Sequence, residues 1–208
     1  ARDLAVLAQA IIRNSAEYYP MYAEREFTYN GIKQGNRNAL LYTDPSVDGL
    51  KTGHTEEAGY CLTTSAKRNG MRLISVIMNA GSMQARADQT RVLLNWGYAN
   101  FEQATPAQAG ATLATAKLLY GVAPEVAAGV AQPWTLVVPK GQGAAVKTAV
   151  VLNPGLEAPI AKGAVIGKVV ATANGKPLGE APVIALAGVE RAGFFQRMGQ
   201  RISGWFSK

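Results

Sequence analysis

Cysteine and histidine are almost absent from this sequence, whose 208 residues include only one of each, Cys61 and His54. A single cysteine allows no internal disulfide. Metal sites of ordinary Cys/His composition are excluded, and a Ser-His-Asp triad would have to use His54. We expect no metal and no cofactor. Cys61 lies in an alternating apolar run, which predicts a small buried residue within a strand.

Long hydrophobic runs are also missing. No apolar stretch approaches the roughly 18 residues of a membrane-spanning helix, and no leader sequence opens the chain. Instead Leu4, Leu7, Ala8, Ile11 and Ile12 keep helical spacing from the start, with no capping residue before them. We therefore expect that the sequence begins just upstream of, or inside, a helix of a longer protein.

Acidic residues are few, 14 against 21 lysines and arginines, which gives a formal charge of +7 and a pI near 9.6. This balance suits nucleic acid, an anionic membrane or a substrate that carries carboxylates. No run of lysine and arginine with interleaved aromatics occurs, and no helix-turn-helix, RNA-binding or zinc-finger spacing is present. We therefore expect no nucleic-acid partner.

Residues 1–103 mix helical and strand patterns, which predicts an α+β domain. Two β-rich runs, 59–68 and 71–80, flank Asn69-Gly70, a strong signal for a hairpin turn. The short segment 51–54 comes just before this hairpin and is expected on a neighbouring strand of one antiparallel sheet.

The segments on either side of this sheet are predicted differently. From Gln84 to Phe101, the apolar residues Val92, Leu93 and Trp96 predict an amphipathic helix that packs on the sheet. A polar stretch, 27–31, precedes a segment that is expected to be irregular loop and turn as far as Ser46.

Residues 104–188 contain little charge and much Ala, Val, Gly and Pro. Short β-rich runs at 134–138, 146–152 and 165–173, followed by a second hairpin turn at Asn174-Gly175, predict a small all-β domain. No catalytic cluster is found in it.

The last segment, 189–208, places aromatic and apolar residues three and four positions apart and adds Arg191, Arg197, Arg201 and Lys208. This arrangement favours an amphipathic helix lying on an anionic membrane over a terminal helix packed on its own domain. The predicted membrane anchor consists of Phe194, Phe195, Met198, Ile202, Trp205 and Phe206.

The motif with chemical content is Lys51-Thr52-Gly53. Lys-Thr-Gly belongs to the signature set of β-lactamases and penicillin-binding proteins. The ammonium can orient or acidify a serine hydroxyl, the threonine hydroxyl can donate to an anion, and glycine lets a substrate backbone lie alongside.

The surrounding run, from Val47 to Tyr60, closely resembles the third motif of low-molecular-mass penicillin-binding proteins of the D-alanyl-D-alanine carboxypeptidase family. The resemblance to this family covers essentially the whole chain. Further segments resemble their counterparts in the family, in the same order: Ala1-Arg2-Asp3-Leu4, Phe27-Thr28-Tyr29-Asn30, Asn36-Arg37-Asn38, Met71-Arg72-Leu73-Ile74 and Leu94-Asn95-Trp96-Gly97. The implied fold is the C-terminal part of a β-lactamase/transpeptidase-like domain, an antiparallel sheet with packed helices, then a small all-β domain and the terminal amphipathic helix.

The resemblance implies a serine acyl-enzyme that removes the terminal D-Ala from peptidoglycan pentapeptide stems, remodels the cell wall and binds β-lactams. Lys51 is expected to shape the electrostatics around the nucleophile, and the His54 backbone N–H to form half of an oxyanion hole. Thr52 is expected to bind the substrate carboxylate, with Gly53 leaving room for the peptide. Arg37 and Arg86 match family arginines that help hold carboxylates.

The sequence departs from the family where catalysis is concerned, because it has no Ser-x-x-Lys, and no Ser-x-Asn precedes Lys51. We expect the 208 residues alone to be inactive. The expected location is the periplasmic face of the bacterial inner membrane, with the terminal helix on the anionic surface. A β-lactamase and a non-catalytic module that docks on membranes or cell-wall enzymes are the alternatives.

Overall fold

A computed structural model describes residues 1–194 and residue 198. The chain divides into two compact units, Ala1–Glu102 and Gln103–Lys208. Four of the six predicted anchor residues, Phe195, Ile202, Trp205 and Phe206, lie outside the described residues. No described helix has the length and apolar character needed to cross a membrane.

The first unit contains three helices and five strands. In chain order they are α1 (Arg2–Asn14), a 3₁₀ turn (Tyr19–Ala23), β1 (Glu26–Tyr29), β2 (Ile32–Gly35), α2 (Leu40–Thr43), β3 (Val47–Thr55), β4 (Gly59–Arg68), β5 (Met71–Ala80) and α3 (Met83–Asn100). The mixture of helices and antiparallel strands predicted for this unit is therefore present.

The main sheet of this unit has the order β3-β4-β5 and is antiparallel throughout. The predicted hairpin between β4 and β5 is confirmed, with Arg68 paired to Met71. Asn69 and Gly70 both adopt positive φ, 49° and 85°, the backbone conformation that a two-residue hairpin turn requires. The predicted place of segment 51–54 on the neighbouring strand is confirmed as well.

Helices α1 and α3 cover opposite faces of this sheet. Leu73 packs in the cluster that contains Leu94 of α3, whereas the next residue, Ile74, packs with Ala8 of α1. Successive residues of a strand point to opposite faces, so the two helices enclose the sheet between them.

The predicted apolar face of α3 is wrong, although the helix itself is confirmed. Val92 is 70% exposed, Trp96 is 55% exposed and Leu93 is 42% exposed. The buried residues are instead Arg86, Ala87, Thr90, Leu94 and Gly97. Small side chains at this face allow close approach, since a Cβ at position 97 would lie only 2.7 Å from a methyl group of Leu73.

The segment predicted to be irregular as far as Ser46 is only partly so, because it contains α2 and the second strand of another hairpin, β1–β2. The turn consists of Asn30 and Gly31, at φ 48° and 74°, and Tyr29 pairs with Ile32. Every residue of the two strands is exposed. In β1 the apolar residues Phe27 and Tyr29 alternate with polar ones and the Asn-Gly turn follows directly, so the sequence does contain a hairpin pattern that the prediction of loop overlooks.

The second unit is β-rich. Its strands are β6 (Phe101–Ala107), which begins at the boundary, β7 (Ala114–Lys117), β8 (Glu125–Gly129), β9 (Trp134–Pro139), β10 (Val146–Leu152), β11 (Val165–Ala173) and β12 (Lys176–Ala185). Five of them form an antiparallel sheet in the order β10-β11-β12-β8-β7, and β6 pairs with β9. Ile166, Val169, Val183 and Ala185 are fully buried in its core.

One glycine of this sheet is required by its neighbours. A Cβ at Gly167 of β11 would collide with the Val151 carbonyl oxygen and lie 2.9 Å from the Leu152 Cα, both on β10. Backbone atoms cannot give way as a flexible side chain does. The absence of a side chain at Gly167 therefore lets β10 and β11 pair through to their ends.

Candidate active site

Strand β3 presents the Lys-Thr-Gly motif on an edge of the sheet. Lys51, Gly53 and His54 are exposed and Thr52 is half-buried. Strand β4 pairs with one side of β3, and no described strand pairs with the other. The backbone of an edge strand offers unpaired N–H and C=O groups, to which an extended peptide can bind as an added strand. This geometry suits recognition of a peptide substrate.

A network of polar side chains fixes the start of β3. Asp48 accepts hydrogen bonds from the Tyr19 hydroxyl and the Arg72 guanidinium, both at 2.8 Å. Burial is the main reason that the pKa of Tyr19 is raised to about 12. From the other direction, the buried amide of Asn38 donates to the Gly49 carbonyl at 3.2 Å. Tyr19 and Asn38, which both precede β3 in the chain, thus hold Asp48 and Gly49, just before the motif.

The Lys51 ammonium donates to the Thr52 carbonyl at 2.5 Å. It forms no ion pair with any carboxylate in the described part of the chain. No neighbouring carboxylate therefore neutralises its charge. An ammonium in this state can orient an incoming hydroxyl or anion. The catalytic role assigned to Lys51 stays a prediction.

The ring of His54 stacks on Tyr60, its partner on β4, with the centroids 4.0 Å apart. This contact fixes the imidazole on the sheet surface. No acidic side chain accepts a hydrogen bond from the ring among residues 1–194 and 198, so no described carboxylate orients it as in a triad. The predicted use of the His54 backbone N–H is compatible with this arrangement and stays a prediction.

The two arginines implicated by the sequence occupy different environments. Arg37 is exposed, whereas Arg86, on the first turn of α3, is only 3% exposed. The Arg86 guanidinium donates to the carbonyl of Arg37 at 2.9 Å and reaches those of Gly53 and Cys61 at 3.4 and 3.5 Å. Burial lowers the pKa of Arg86. The structure thus brings Arg37, Arg86 and the motif together.

A cavity of about 440 Å³ lies beside the motif, between α1 and the sheet. Leu4, Leu7 and Ile11 supply much of its apolar wall, and Lys51, Thr52 and Gly53 line it as well. Cys61 also lines it and is only half-buried, with its thiol donating to the Ala58 carbonyl at 3.3 Å. The prediction that Cys61 is a buried core residue is therefore wrong.

Sequence reasoning missed the residues that hold the motif in place. Asn38 belongs to a segment that carries the family resemblance, but nothing in its pattern predicts a 1%-exposed amide bonded to β3. Tyr19 and Asp48 are 29 positions apart, and only the tertiary fold brings them together. No group of three or more potential metal ligands occurs in the described ranges.

Two families match successive parts of the chain. Residues 1–82 match the family described as D-alanyl-D-alanine carboxypeptidase. Residues 101–191 match the C-terminal domain of penicillin-binding protein 5. The boundary between the matched ranges falls close to the boundary between the two compact units.

Curated relatives agree with these matches. D-alanyl-D-alanine carboxypeptidase DacC of Escherichia coli is 39% identical, over 100% of this chain and 54% of the relative. DacA of Haemophilus influenzae is 41% identical, over 95% of this chain and 51% of the relative. The chain thus spans about half the length of the curated relatives that it matches.

A solved structure, penicillin binding protein 5 from Haemophilus influenzae, aligns with 92% of this chain and 56% of its own, at a TM-score of 0.74 and 41% identity. At this level the likeness extends to sequence as well as fold.

Proposed function

Because the chain belongs to the D-alanyl-D-alanine carboxypeptidase family of serine peptidases, we propose that it forms the substrate-binding wall of an enzyme that trims peptidoglycan. The substrate is a pentapeptide stem that ends in D-Ala-D-Ala. The observation that carries the proposal is β3, an edge strand on which Lys51 and Gly53 are exposed and one side of which has no described strand partner. A peptide bound to that edge lies directly against the motif.

In this reaction a serine hydroxyl attacks the carbonyl carbon between the two D-alanines. The terminal D-Ala leaves with the proton, and water then hydrolyses the resulting ester. Lys51 stabilises the negative charge near the serine, and the backbone N–H of His54 donates to the oxyanion. Thr52 donates to the terminal carboxylate, toward which Arg37 and Arg86 add positive charge.

The serine itself must come from a segment outside these 208 residues, since the sequence contains no Ser-x-x-Lys. We expect such a segment to pack in the cavity beside the motif. Its wall is largely apolar and lies against Lys51 and Thr52, so a helix that packs there places its polar residues beside the Lys-Thr-Gly motif. β-Lactams, which resemble the peptide, are the expected inhibitors.

The remaining parts of the proposal concern the fold and the location of the protein. The first unit is the C-terminal part of a β-lactamase/transpeptidase-like domain. The segment that follows Gly193 binds an anionic membrane, at the periplasmic face of the inner membrane. Support comes from the spacing of aromatic and basic residues and from exposure of Phe194 and Met198, 63% and 50%. The start of the helix predicted for 189–208 is wrong, because Val189 forms a bridge with Ile160 and Ala192 is buried in the second unit.

Fluorescent penicillin tests the proposed function. The 208-residue chain alone should not become covalently labelled. A chimera that joins it to the N-terminal half of the Haemophilus influenzae relative should be labelled. In that chimera Thr52→Val should slow labelling by about 10- to 100-fold, the value of a hydrogen bond to a charged group.

The matched control is Thr28→Val on the exposed strand β1, which should label at the parental rate. Stoichiometric labelling of the 208 residues alone would contradict the proposal. Equal labelling rates for the chimera and its Thr52→Val variant would do so as well.

A further inference from the structure

The two arginines near the motif do not share one task. We propose that Arg86 is a positioning residue, which holds the backbone of Arg37 and the end of the Lys-Thr-Gly strand, and that Arg37 is the one of the two arginines that contacts the substrate carboxylate. This division of labour rests on the proposed function. Its structural half concerns only this chain and can be measured without catalysis.

The guanidinium of Arg86 joins three separate segments. It donates to the Arg37 carbonyl at 2.9 Å, and it reaches the Gly53 carbonyl on β3 and the Cys61 carbonyl on β4 at 3.4 and 3.5 Å. Gly53 and Cys61 are directly paired residues of the sheet. One side chain therefore connects the loop before α2 with both strands at the end of the motif.

Burial makes these contacts difficult to exchange for a ligand. Arg86 is 3% exposed and forms no ion pair within the described part of the chain. A buried charge without a counterion is tolerated only when polar groups surround it. The three carbonyl oxygens supply that environment, and a guanidinium that turned outward to a substrate carboxylate would leave them unsatisfied.

The same guanidinium also supports the neighbour of the motif. Its central carbon lies 5.8 Å from the centroid of the Tyr60 ring, and Tyr60 stacks on His54. Arg86 thus contacts, directly or through one ring, Arg37, Gly53 and His54.

Arg37 differs from Arg86 because its side chain is accessible to a ligand. Its side chain is exposed and forms no ion pair with a described residue. Its backbone, in contrast, is held at its own carbonyl by Arg86, and the side-chain amide of the next residue, Asn38, is bonded to Gly49. A free guanidinium on a fixed backbone is suited to bind a carboxylate through its planar fork.

Hydrogen exchange of the 208-residue chain tests the positioning role. Lysine keeps the charge of Arg86 but cannot direct a planar fork at several carbonyls. Arg86→Lys and Arg86→Gln should therefore both accelerate exchange at the amides of Asn38 and Gly53, by about tenfold, the lower end for loss of hydrogen bonds to a charge. Arg91→Lys is the matched control and should change nothing, because Arg91 lies on the same helix with a side chain that is 42% exposed.

Exchange at these amides that stays at the parental rate in Arg86→Lys would overturn the inference. Global loss of folding in Arg86→Lys, beside a stable Arg91→Lys, would overturn it too, since Arg86 would then support the whole unit rather than the site.

The chimera separates positioning from substrate contact. Peptides that end in D-Ala-D-Ala as the free acid or as the amide are compared by kcat/KM. Arg37→Gln should reduce the preference for the acid, whereas Arg86→Lys should lower both values by the same factor. Loss of the acid preference in Arg86→Lys would assign the carboxylate contact to Arg86 instead. A chimera without any activity would contradict the proposed function, while the exchange rates would still decide the role of Arg86.

Discussion

Tyr19 holds its proton more tightly in the folded chain than a free tyrosine does, with a pKa raised from 10.0 to about 12, mainly by burial. The folded state therefore binds more proton than the unfolded state above pH 10. The contribution of Tyr19 to stability is complete below pH 10 and should be lost as the pH rises towards 12.

Urea denaturation at several pH values measures this effect in the chain and in Tyr19→Phe. We expect the free energy of unfolding to fall less steeply between pH 10 and 12 in the variant, even though the variant lacks the hydrogen bond to Asp48. Equal slopes would show that Tyr19 is not the titrating group.

Single residues differ in how far the sequence predicts them. Lys51, Thr52 and Gly53 are predicted because their chemistry depends on residue type and spacing along one strand. The burial of Arg86 is not predicted, because it depends on α3, β3, β4 and the loop at Arg37 meeting at one point. The same is true of Asn38, whose amide has a defined partner only after the chain folds.

At the scale of elements, the start of α3 is stabilised by a side-chain cap. Ser82 caps the helix by accepting a hydrogen bond from the Ala85 N–H at 3.0 Å. Ser82→Ala should cost about 1 kcal/mol, measured by native-state hydrogen exchange of α3 amides. Ser82→Asp, which can accept the same bond, should retain parental protection. Equal protection in the alanine variant would mean that packing alone fixes the start of α3.

The sheet of the second unit depends on Gly167 in a different way. Gly167→Ala should destabilise the chain by roughly 1–3 kcal/mol, the usual cost of overpacking, because the new Cβ meets the backbone of β10. Gly179→Ala on β12 is the control, since its nearest contacts would be ordinary ones at 3.6 and 3.8 Å. Thermal unfolding of both variants checks the difference, and equal melting temperatures would refute the steric explanation.

Elements are predicted when one face is buried and missed when none is. The β4–β5 hairpin combines an Asn-Gly turn with strands of apolar residues, and the sequence predicts it correctly. The β1–β2 hairpin has the same turn at Asn30-Gly31, and Phe27 and Tyr29 alternate with polar residues, but its strands have only four residues each and are fully exposed. In α3 the sequence predicts the helix but the wrong face, because the sheet accepts small residues such as Ala87 and leaves Trp96 outside.

At the scale of the whole molecule, the excess of positive charge bears on membrane binding. Co-sedimentation with vesicles that contain anionic lipid should detect binding of the 208-residue chain. Removal of residues 194–208 should weaken it by at least about tenfold, since each basic residue near such a surface contributes about 1 kcal/mol. The truncation begins after Gly193 because Val189 and Ala192 are buried in the second unit.

Neutral vesicles provide the control, because they should bind the intact chain weakly. Binding that is unchanged by the truncation would exclude the terminal segment as the anchor.

Strand β3 has a further consequence for the protein in solution. An edge that stays open to a peptide is equally open to the edges of other copies, and such pairing is a common route to aggregation. Charged residues on an edge strand oppose it, lysine above all. Lys51 is the lysine of β3 and is exposed. We therefore expect Lys51, the residue proposed to act in catalysis, also to oppose pairing between the β3 strands of two copies.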